Sequence, residues 1–156
     1  MIAIVDYNVG NLASVTNAFK RQGMDVKVTR DPQDLLSADG IILPGVGAFP
    51  VAMDNLQKVG LIEPLTKAKE KGTPMMGICL GMQILFEQGY EVTPTKGLGF
   101  LKGEVKLMEV DAKLPHMGWN QLVFNHEHPL LKYVDEGEYV YFVHSYGAVC
   151  PDDELM

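Results

Sequence analysis

The sequence predicts an α/β fold, with a mostly parallel sheet, helices on both faces and a β-rich C-terminal half. Three observations predict it. In the first part of the chain, short apolar runs alternate with segments of helical spacing, the order that produces a parallel sheet under covering helices. Several of these runs are continuously apolar, as in strands buried on both faces. After about residue 92 the helical spacing disappears and strand-like runs follow one another.

The alternation begins with MIAIVD, an apolar run that predicts a strand. Asn11 can cap the next segment, where Leu12, Val15 and Phe19 fall at helical spacing, and Gly23 ends that helix. The stretch DVKVT alternates like a strand. DPQDLLSAD is then a short helix or turn.

Two more strand–helix pairs follow. GIILPG is a buried strand, and the helical stretches AFPVAMDNLQKVG and LIEPLTKAKEKG are interrupted around Gly60 and Pro64. TPMMGI is another buried strand, and we expect LGMQILFEQG to be a helix that ends at a glycine. Downstream, strand-like runs are GLGFLKGEVKLMEV, MGWNQLVF and GEYVYFVHSYGAVC. With no repeat and no linker in view, we expect residues 1–156 to form a single domain.

Composition excludes several classes of protein. The 156 residues fit one domain, and 47% hydrophobic with 21% charged residues excludes a disordered chain. A net charge of −7 without a lysine or arginine cluster argues against a nucleic-acid or anionic-membrane partner. Two cysteines make no disulfide framework, and there is no basic leader or membrane-length apolar stretch. We therefore expect a cytoplasmic protein.

Cys79 stands between two glycines, in GICLG, where a strand is predicted to become a helix. One explanation is a small buried filler. The other is a nucleophile on a sharp strand-to-helix turn, where flanking glycines leave room for tight packing. The following helix would favour the thiolate, and the Leu80 N–H could donate to an oxyanion. We favour the nucleophile, whereas Cys150, beside Pro151, has no such context.

A second glycine cluster, LPGVGAF, also ends an apolar strand. Glycines let the backbone approach a ligand and turn its N–H groups toward it. Beside a thiol nucleophile, Gly45, Val46 and Gly47 would form the other half of an oxyanion hole. The alternative is an ordinary Pro-Gly turn. The phosphate-binding pattern G-x-x-x-x-G-K is absent, and we expect no cofactor.

Five motifs together resemble the class I (triad-type) glutamine amidotransferases: DYNVGNLASV, LPGVGAF, GICLGMQ, LPHMGWN and VYFVHSY. Within that family they look like the glutaminase subunits of imidazole glycerol phosphate synthases, which serve histidine biosynthesis. The resemblance runs in order from residue 1 to about residue 150.

The resemblance implies a reaction. Cys79 would attack the side-chain amide of glutamine, forming a γ-glutamyl thioester and releasing ammonia. Leu80 and the loop around Val46 would supply oxyanion N–H groups, and Val46 would act as a switch that aligns when a partner binds its ligand. Matching positions that would hold glutamine are Gly45, Gly47, Gln83, His144, Ser145 and Tyr146.

The resemblance also implies a partner, a (β/α)8-barrel cyclase subunit that forms a heterodimer with the glutaminase and consumes the ammonia. A channel would keep the ammonia unprotonated. The interface residues expected from the matching motifs are Asn11, Pro115, Met117, Trp119 and Tyr141. For Trp119 and Tyr141 the alternative is an ordinary place in the core.

The match breaks at the catalytic histidine and glutamate, which the family carries in a His-Pro-Glu segment near the C-terminus. The sequence stops at CPDDELM without one, so we expect an incomplete chain with little or no glutamine hydrolysis. His144 is expected in the substrate site and His116 near the interface. His126 and His128 are expected in a solvated loop, so we expect no metal site. The remaining alternatives are another cysteine enzyme with G-x-C-x-G and a non-catalytic glutamine-binding subunit.

Overall fold

A computed structural model describes residues 1–125 and 127–151. Its first four strands form one parallel sheet, β1 (Ile2–Val5), β2 (Val26–Thr29), β3 (Gly40–Gly45) and β4 (Met75–Cys79), in the order β2-β1-β3-β4. These are the four runs in which the sequence predicts strands. Because all four run parallel, their carboxyl ends lie along one edge, where ligands gather in such sheets.

Four helices connect these strands: α1 (Leu12–Arg21), α2 (Pro32–Ser37), α3 (Phe49–Lys58) and α4 (Ile62–Glu70). Asn11 caps α1 as expected, since its Oδ1 accepts the Ser14 N–H at 3.1 Å. With the right-handed crossovers that parallel sheets adopt, the strand order β2-β1-β3-β4 puts α1 on the opposite face of the sheet from α2, α3 and α4. The interruption between α3 and α4 falls near Gly60, whereas Pro64 lies inside α4.

The main core lies between the parallel sheet and α2, α3 and α4. Alternate residues of the two central strands face it, among them Val5 and Leu43, both fully buried. On the opposite face Ile4 and Ile42 are also buried. Central strands covered on both faces explain the continuously apolar runs.

The helix predicted over LGMQILFEQG is mostly wrong. Only Leu80–Gln83 is helical (α5), and Phe86–Gly89 is a strand (β5). The Ile84 carbonyl accepts the Leu98 N–H at 2.8 Å, and the Leu85 carbonyl accepts the Phe100 N–H at 2.8 Å. Because distant N–H groups take these carbonyls, the helix cannot continue through its own i+4 bonds.

The β-rich C-terminal half is confirmed. It holds β6 (Thr95–Lys96), β7 (Leu101–Leu107), β8 (His116–Gln121), β9 (Tyr139–His144) and β10 (Tyr146–Val149). A second sheet has the order β10-β7-β5-β6, and β8 and β9 form an antiparallel ribbon, the β8–β9 ribbon, that pairs with no other described strand. In the described part of the chain, every helix is too short or too polar to cross a membrane.

Candidate active site

Cys79 occupies a strained strand-to-helix turn. It ends β4 with φ 54° and ψ −118°, a conformation uncommon for a residue with a side chain, and α5 begins at the next residue. The side chain is exposed. The expectation of a sharp turn is therefore confirmed, and the alternative of a buried filler is wrong.

The two glycines around Cys79 are required by close packing of α5 against the sheet. A Cβ on Gly77 would lie 2.2 Å from Met82 Cα, and one on Gly81 would lie 1.7 Å from the Leu43 carbonyl oxygen. Both distances are far inside van der Waals contact. Glycine at these positions lets the chain turn directly from β4 into α5 beside β3.

The loop Gly45-Val46-Gly47 lies next to Cys79. Gly45 is the last residue of β3 and pairs in register with Cys79 of β4. Val46 is 57% exposed although it is apolar, and Gly47 has φ 99°. The ends of two neighbouring strands thus bring the loop and the thiol together at one edge of the sheet.

A cavity of about 340 Å³ opens at this edge. Both halves of the chain contribute to it, because the junction of β9 and β10 lies across from the ends of β3 and β4. Gly45 alone among the expected catalytic and substrate residues does not line it. The lining residues are Val46, Gly47, Cys79, Leu80, Gln83, Glu91, Pro115, Val143, His144, Ser145 and Tyr146.

A hydrogen-bond network fixes the wall of the cavity opposite Cys79. The Tyr146 carbonyl accepts from Gln83 Nε2 at 3.1 Å and from His144 Nδ1 at 3.0 Å. His144 Nε2 lies 3.0 Å from Nδ1 of His116. Both ring nitrogens of His144 are therefore engaged within the protein, and neither is directed at Cys79 as a base would be. Its expected place in the substrate site stays a prediction.

Sequence reasoning missed Glu91, the acidic residue among those lining the cavity. Its Oε2 accepts the Phe49 N–H at 2.8 Å, at the start of α3, where the N-cap residue Ala48 gives no side-chain bond. A carboxylate at a helix N-terminus is electrostatically favourable. No sequence pattern links Glu91 to Cys79; only the fold of β5 and the loop after it brings them together.

Sequence reasoning also missed Tyr7, which lies behind the loop. Its hydroxyl donates to the Pro44 carbonyl at 2.6 Å, and the side chain is fully buried. Burial, together with the nearby Cys79, raises the pKa of Tyr7 well above its usual value near 10.0. The phenol therefore stays protonated and acts as a donor.

Among residues 1–125 and 127–151, no three or more His, Cys, Asp or Glu side chains are grouped so that they could hold a metal ion. His128 Nδ1 accepts the Leu130 N–H at 3.2 Å. His126 lies outside the described residues, so the expectation of a solvated His126/His128 loop stays a prediction.

The expected partner residues fall at three places. Met117, Trp119 and Tyr141 are 61%, 67% and 53% exposed on one face of the β8–β9 ribbon, where the rings of Trp119 and Tyr141 meet edge to face at 5.6 Å. An ordinary core position for the two aromatics is therefore wrong. Pro115 lines the cavity, and Asn11 is the N-cap of α1, on the connection that follows β1.

Comparison with known proteins gives consistent matches. Residues 3–154 match the family Glutamine amidotransferase class-I. The imidazole glycerol phosphate synthase subunit HisH of Lactococcus lactis subsp. lactis (strain IL1403) is 54% identical over 155 residues, covering 99% of this chain and 77% of that protein. Subunit HisH of Aquifex aeolicus (strain VF5) is 49% identical over 154 residues, covering 98% and 74%. A solved structure described as a glutamine amidotransferase has a TM-score of 0.69 at 18% identity, over 92% of this chain and 71% of that one, which is a likeness of fold.

Proposed function

The chain belongs to the class I glutamine amidotransferase family and, within it, to the HisH subunits of imidazole glycerol phosphate synthase, and on that premise we propose that it is the glutaminase subunit of such a synthase. It takes ammonia from glutamine and passes it to a cyclase subunit that makes imidazole glycerol phosphate in histidine biosynthesis. Family membership removes the alternative of an unrelated cysteine enzyme with the same G-x-C-x-G turn.

The chemistry begins at Cys79. Its thiolate attacks the side-chain amide carbon of glutamine, and the negative charge moves to the carbonyl oxygen. The Leu80 N–H and an N–H of the loop at Val46 and Gly47 stabilise that oxyanion. The amide nitrogen takes up a proton, which in the family the catalytic histidine of the His-Pro-Glu segment would donate, and leaves as ammonia. Water then cleaves the γ-glutamyl thioester to give glutamate and the free thiol of Cys79.

The cavity wall recognises the amino-acid end of glutamine. The carboxylate of Glu91 suits the α-ammonium group, because it is the one carboxylate among the described residues that line the cavity. Gln83, Ser145 and Tyr146 offer polar atoms for the α-carboxylate and the amide, with His144 beside them. The hydrogen bonds that join Gln83 and His144 to the Tyr146 carbonyl keep this wall in place before substrate arrives.

The partner is a (β/α)8-barrel cyclase subunit in a heterodimer, and the exposed face of the β8–β9 ribbon supports a docking site for it. Met117, Trp119 and Tyr141 form an aromatic and thioether surface of the kind that anchors protein interfaces. Docking there would enclose the route of ammonia, which in water would become ammonium and lose its nucleophilicity. The complex works in the cytoplasm.

Residues 1–156 contain no His-Pro-Glu segment, and His144 is committed to Tyr146 and His116. We therefore expect this chain to hydrolyse glutamine slowly or not at all, since general acid–base help contributes on the order of 10²–10⁴-fold. Substantial cyclase-stimulated ammonia release from this chain would contradict that expectation. A non-catalytic glutamine-binding subunit would bind glutamine without turnover. Residues 1–156 should behave in this way whether the proposal or that alternative is correct.

The observation that carries the proposal is the single cavity shared by Cys79, the Val46–Gly47 loop and the segment from His144 to Tyr146. The test is labelling with the glutamine analogue 6-diazo-5-oxo-L-norleucine, followed by peptide mass spectrometry. We expect modification at Cys79, protection by glutamine and no protection by asparagine. Cys150 serves as the internal control, and Cys150→Ser should leave the labelling of Cys79 unchanged.

Two results would contradict the proposal. Equal labelling of Cys79 and Cys150 would mean that the cavity does not recognise the analogue. If asparagine protected Cys79 from labelling as strongly as glutamine does, the cavity would not distinguish the two side-chain lengths.

A further inference from the structure

Tyr7 is a fully buried phenol that takes no direct part in the proposed reaction of Cys79 with glutamine. It follows β1, and its hydroxyl donates to the Pro44 carbonyl at 2.6 Å. It is not one of the residues that line the cavity. A buried hydroxyl needs a hydrogen-bond partner. The partner of this hydroxyl is the carbonyl of the peptide directly before the Gly45-Val46-Gly47 loop.

That peptide is enclosed from several directions. A Cβ on Gly10 would lie 3.2 Å from the Pro44 carbonyl carbon, and a Cβ on Gly81 would lie at the same distance of 3.2 Å. A Cβ on Gly45 would lie 2.9 Å from the Tyr7 hydroxyl oxygen. The base of the loop is therefore packed without free space, whereas the next residue, Val46, is 57% exposed.

A fixed base with a free tip is what a movable oxyanion loop requires. An N–H group stabilises the tetrahedral oxyanion only when it lies about 2.7–3.1 Å from it. Gly45 pairs in register with Cys79. If the Pro44–Gly45 peptide tilted, the N–H groups at the tip of the loop would therefore move out of reach of the oxyanion formed at Cys79. The Tyr7 hydrogen bond opposes such a tilt, because the Pro44 carbonyl would otherwise lie buried without this donor.

We infer that Tyr7 is a positioning residue for the glutaminase reaction, and that its hydroxyl fixes the base of the Gly45-Val46-Gly47 loop so that the loop N–H reaches the oxyanion formed at Cys79. This inference rests on the proposed function. The direction of the Tyr7 pKa agrees with it, since a phenol that keeps its proton remains a donor to Pro44.

The experiment compares two reactions of Cys79 in the chain of residues 1–156. The γ-ethyl thioester of L-glutamate acylates Cys79 through a tetrahedral oxyanion: a new C–S bond forms, the old C–S bond breaks and ethanethiolate leaves without an acid. Iodoacetamide alkylates the same sulfur by displacing iodide, so no carbonyl oxyanion forms. Mass spectrometry of the acid-quenched protein gives both rates.

Tyr7→Phe removes only the hydroxyl. We expect its maximal rate of acylation to fall about ten-fold, a part of the 10²–10³-fold lost when an oxyanion donor itself is removed. The thioester concentration at half-maximal rate and the alkylation rate should stay within about two-fold, because Tyr7 lies outside the cavity. Tyr90→Phe is the matched control: it removes a hydroxyl that donates to Glu104 at 2.9 Å and should change neither rate.

The outcomes separate this inference from the proposed function. No acylation in the parent chain would overturn both. Normal acylation in the parent together with an unchanged Tyr7→Phe rate would overturn the inference alone, as would an equal fall in acylation and alkylation. Should Tyr7→Phe fail to fold, Tyr7→Met provides a second apolar side chain without a hydroxyl, and the same comparison of rates applies to it.

Discussion

Gly81 has no room for a side chain, although it lies in a helix. Gly81 lies beside Leu43 because α5 packs directly on β3. A Cβ on Gly81 would be 1.7 Å from the Leu43 carbonyl oxygen. We therefore expect Gly81→Ala to destabilise the protein by about 3 kcal/mol or more, the upper range for overpacking, because backbone rather than a side chain must move. Urea unfolding at equilibrium measures the loss.

Gly147→Ala is the control for that substitution. Its added Cβ would meet only the Met108 side chain, at 3.4 Å. We expect a change within about 0.5 kcal/mol, as for ordinary substitutions away from close contacts. Equal effects of the two variants would show that the turn at Cys79 tolerates a wider separation of α5 from β3.

Asp6 and Arg30 form an ion pair at the carboxyl end of β1, at 2.9 Å, and Arg30 also donates to Asn8 at 2.6 Å. The hydrogen bond from Arg30 holds the pKa of Asp6 below its usual 3.8. A carboxylate with a lowered pKa in the folded state stabilises the protein above about pH 4, and that contribution is lost as the pH falls through the lowered value.

Arg30→Gln should therefore cost about 0.5 kcal/mol at pH 7, the range for partly exposed pairs. The difference from the parent should shrink as the pH falls below about 4, because Asp6 loses its charge first in the variant and then, at its lowered pKa, in the parent. Urea titrations across that range measure it. Lys58→Gln, which breaks the more exposed pair with Asp54, should cost less. An Arg30→Gln penalty that stays constant as the pH falls through the lowered pKa of Asp6 would exclude Asp6 as its source.

At the scale of the elements, the exposed face of the β8–β9 ribbon makes a prediction about the partner. Trp119→Ala should weaken binding to the cyclase subunit at least ten-fold, because a central tryptophan commonly carries 2 kcal/mol or more of an interface. It should leave the unfolding free energy nearly unchanged, since Trp119 is 67% exposed. Isothermal titration calorimetry against the cyclase measures the first effect.

Tyr133→Ala is the matched control, an aromatic residue that is 87% exposed and lies outside the ribbon strands. It should change the affinity less than two-fold. If Tyr133→Ala weakened binding as much as Trp119→Ala, the docking face would extend to the connection between β8 and β9 or lie there altogether.

Glu91 lines the cavity and also accepts a hydrogen bond at the start of α3. Its charge should therefore affect both glutamine binding and the stability of the protein. Glu91→Gln keeps an oxygen that can accept the Phe49 N–H but removes the negative charge at the helix N-terminus. We expect a loss of about 0.5–1 kcal/mol of stability and at least ten-fold weaker glutamine binding. Glu87→Gln alters a carboxylate that accepts the Gly103 N–H at 2.9 Å away from the cavity, and it should leave glutamine affinity intact. Unchanged affinity in Glu91→Gln would exclude Glu91 as the ammonium site.

The elements also show where sequence reasoning succeeds and where it fails. The turn at Cys79 was predictable because its cause is local: glycines at fixed offsets around one residue. The strand β5 was not, because the bonds that replace the helix come from residues 97–101, which no local periodicity reveals. Glu91 and Tyr7 were missed for the same reason, since each acquires its role through a contact with a residue at least 37 positions away.

At the scale of the whole molecule, stability should be distributed unevenly. The central strands β1 and β3 each have neighbours on both sides and are buried on both faces. Within residues 1–125 and 127–151, by contrast, β8 and β9 pair only with each other. Two-stranded ribbons are marginally stable in water, and local opening requires less free energy where few apolar contacts break. Amide hydrogen exchange should therefore be slowest in β1 and β3 and orders of magnitude faster in the β8–β9 ribbon.

Binding of the cyclase should reverse part of this contrast. Docking on the ribbon would add contacts to the element that opens most easily, so exchange in β8 and β9 should slow while β1 and β3 stay unchanged. The second sheet supplies the control, because β7 and β10 pair in register but lie outside the proposed docking face. Slowing spread evenly over β7, β10 and the ribbon would indicate global stabilisation on binding, whereas slowing confined to the ribbon would place the docking face there and connect it through His116 and His144 to the cavity wall.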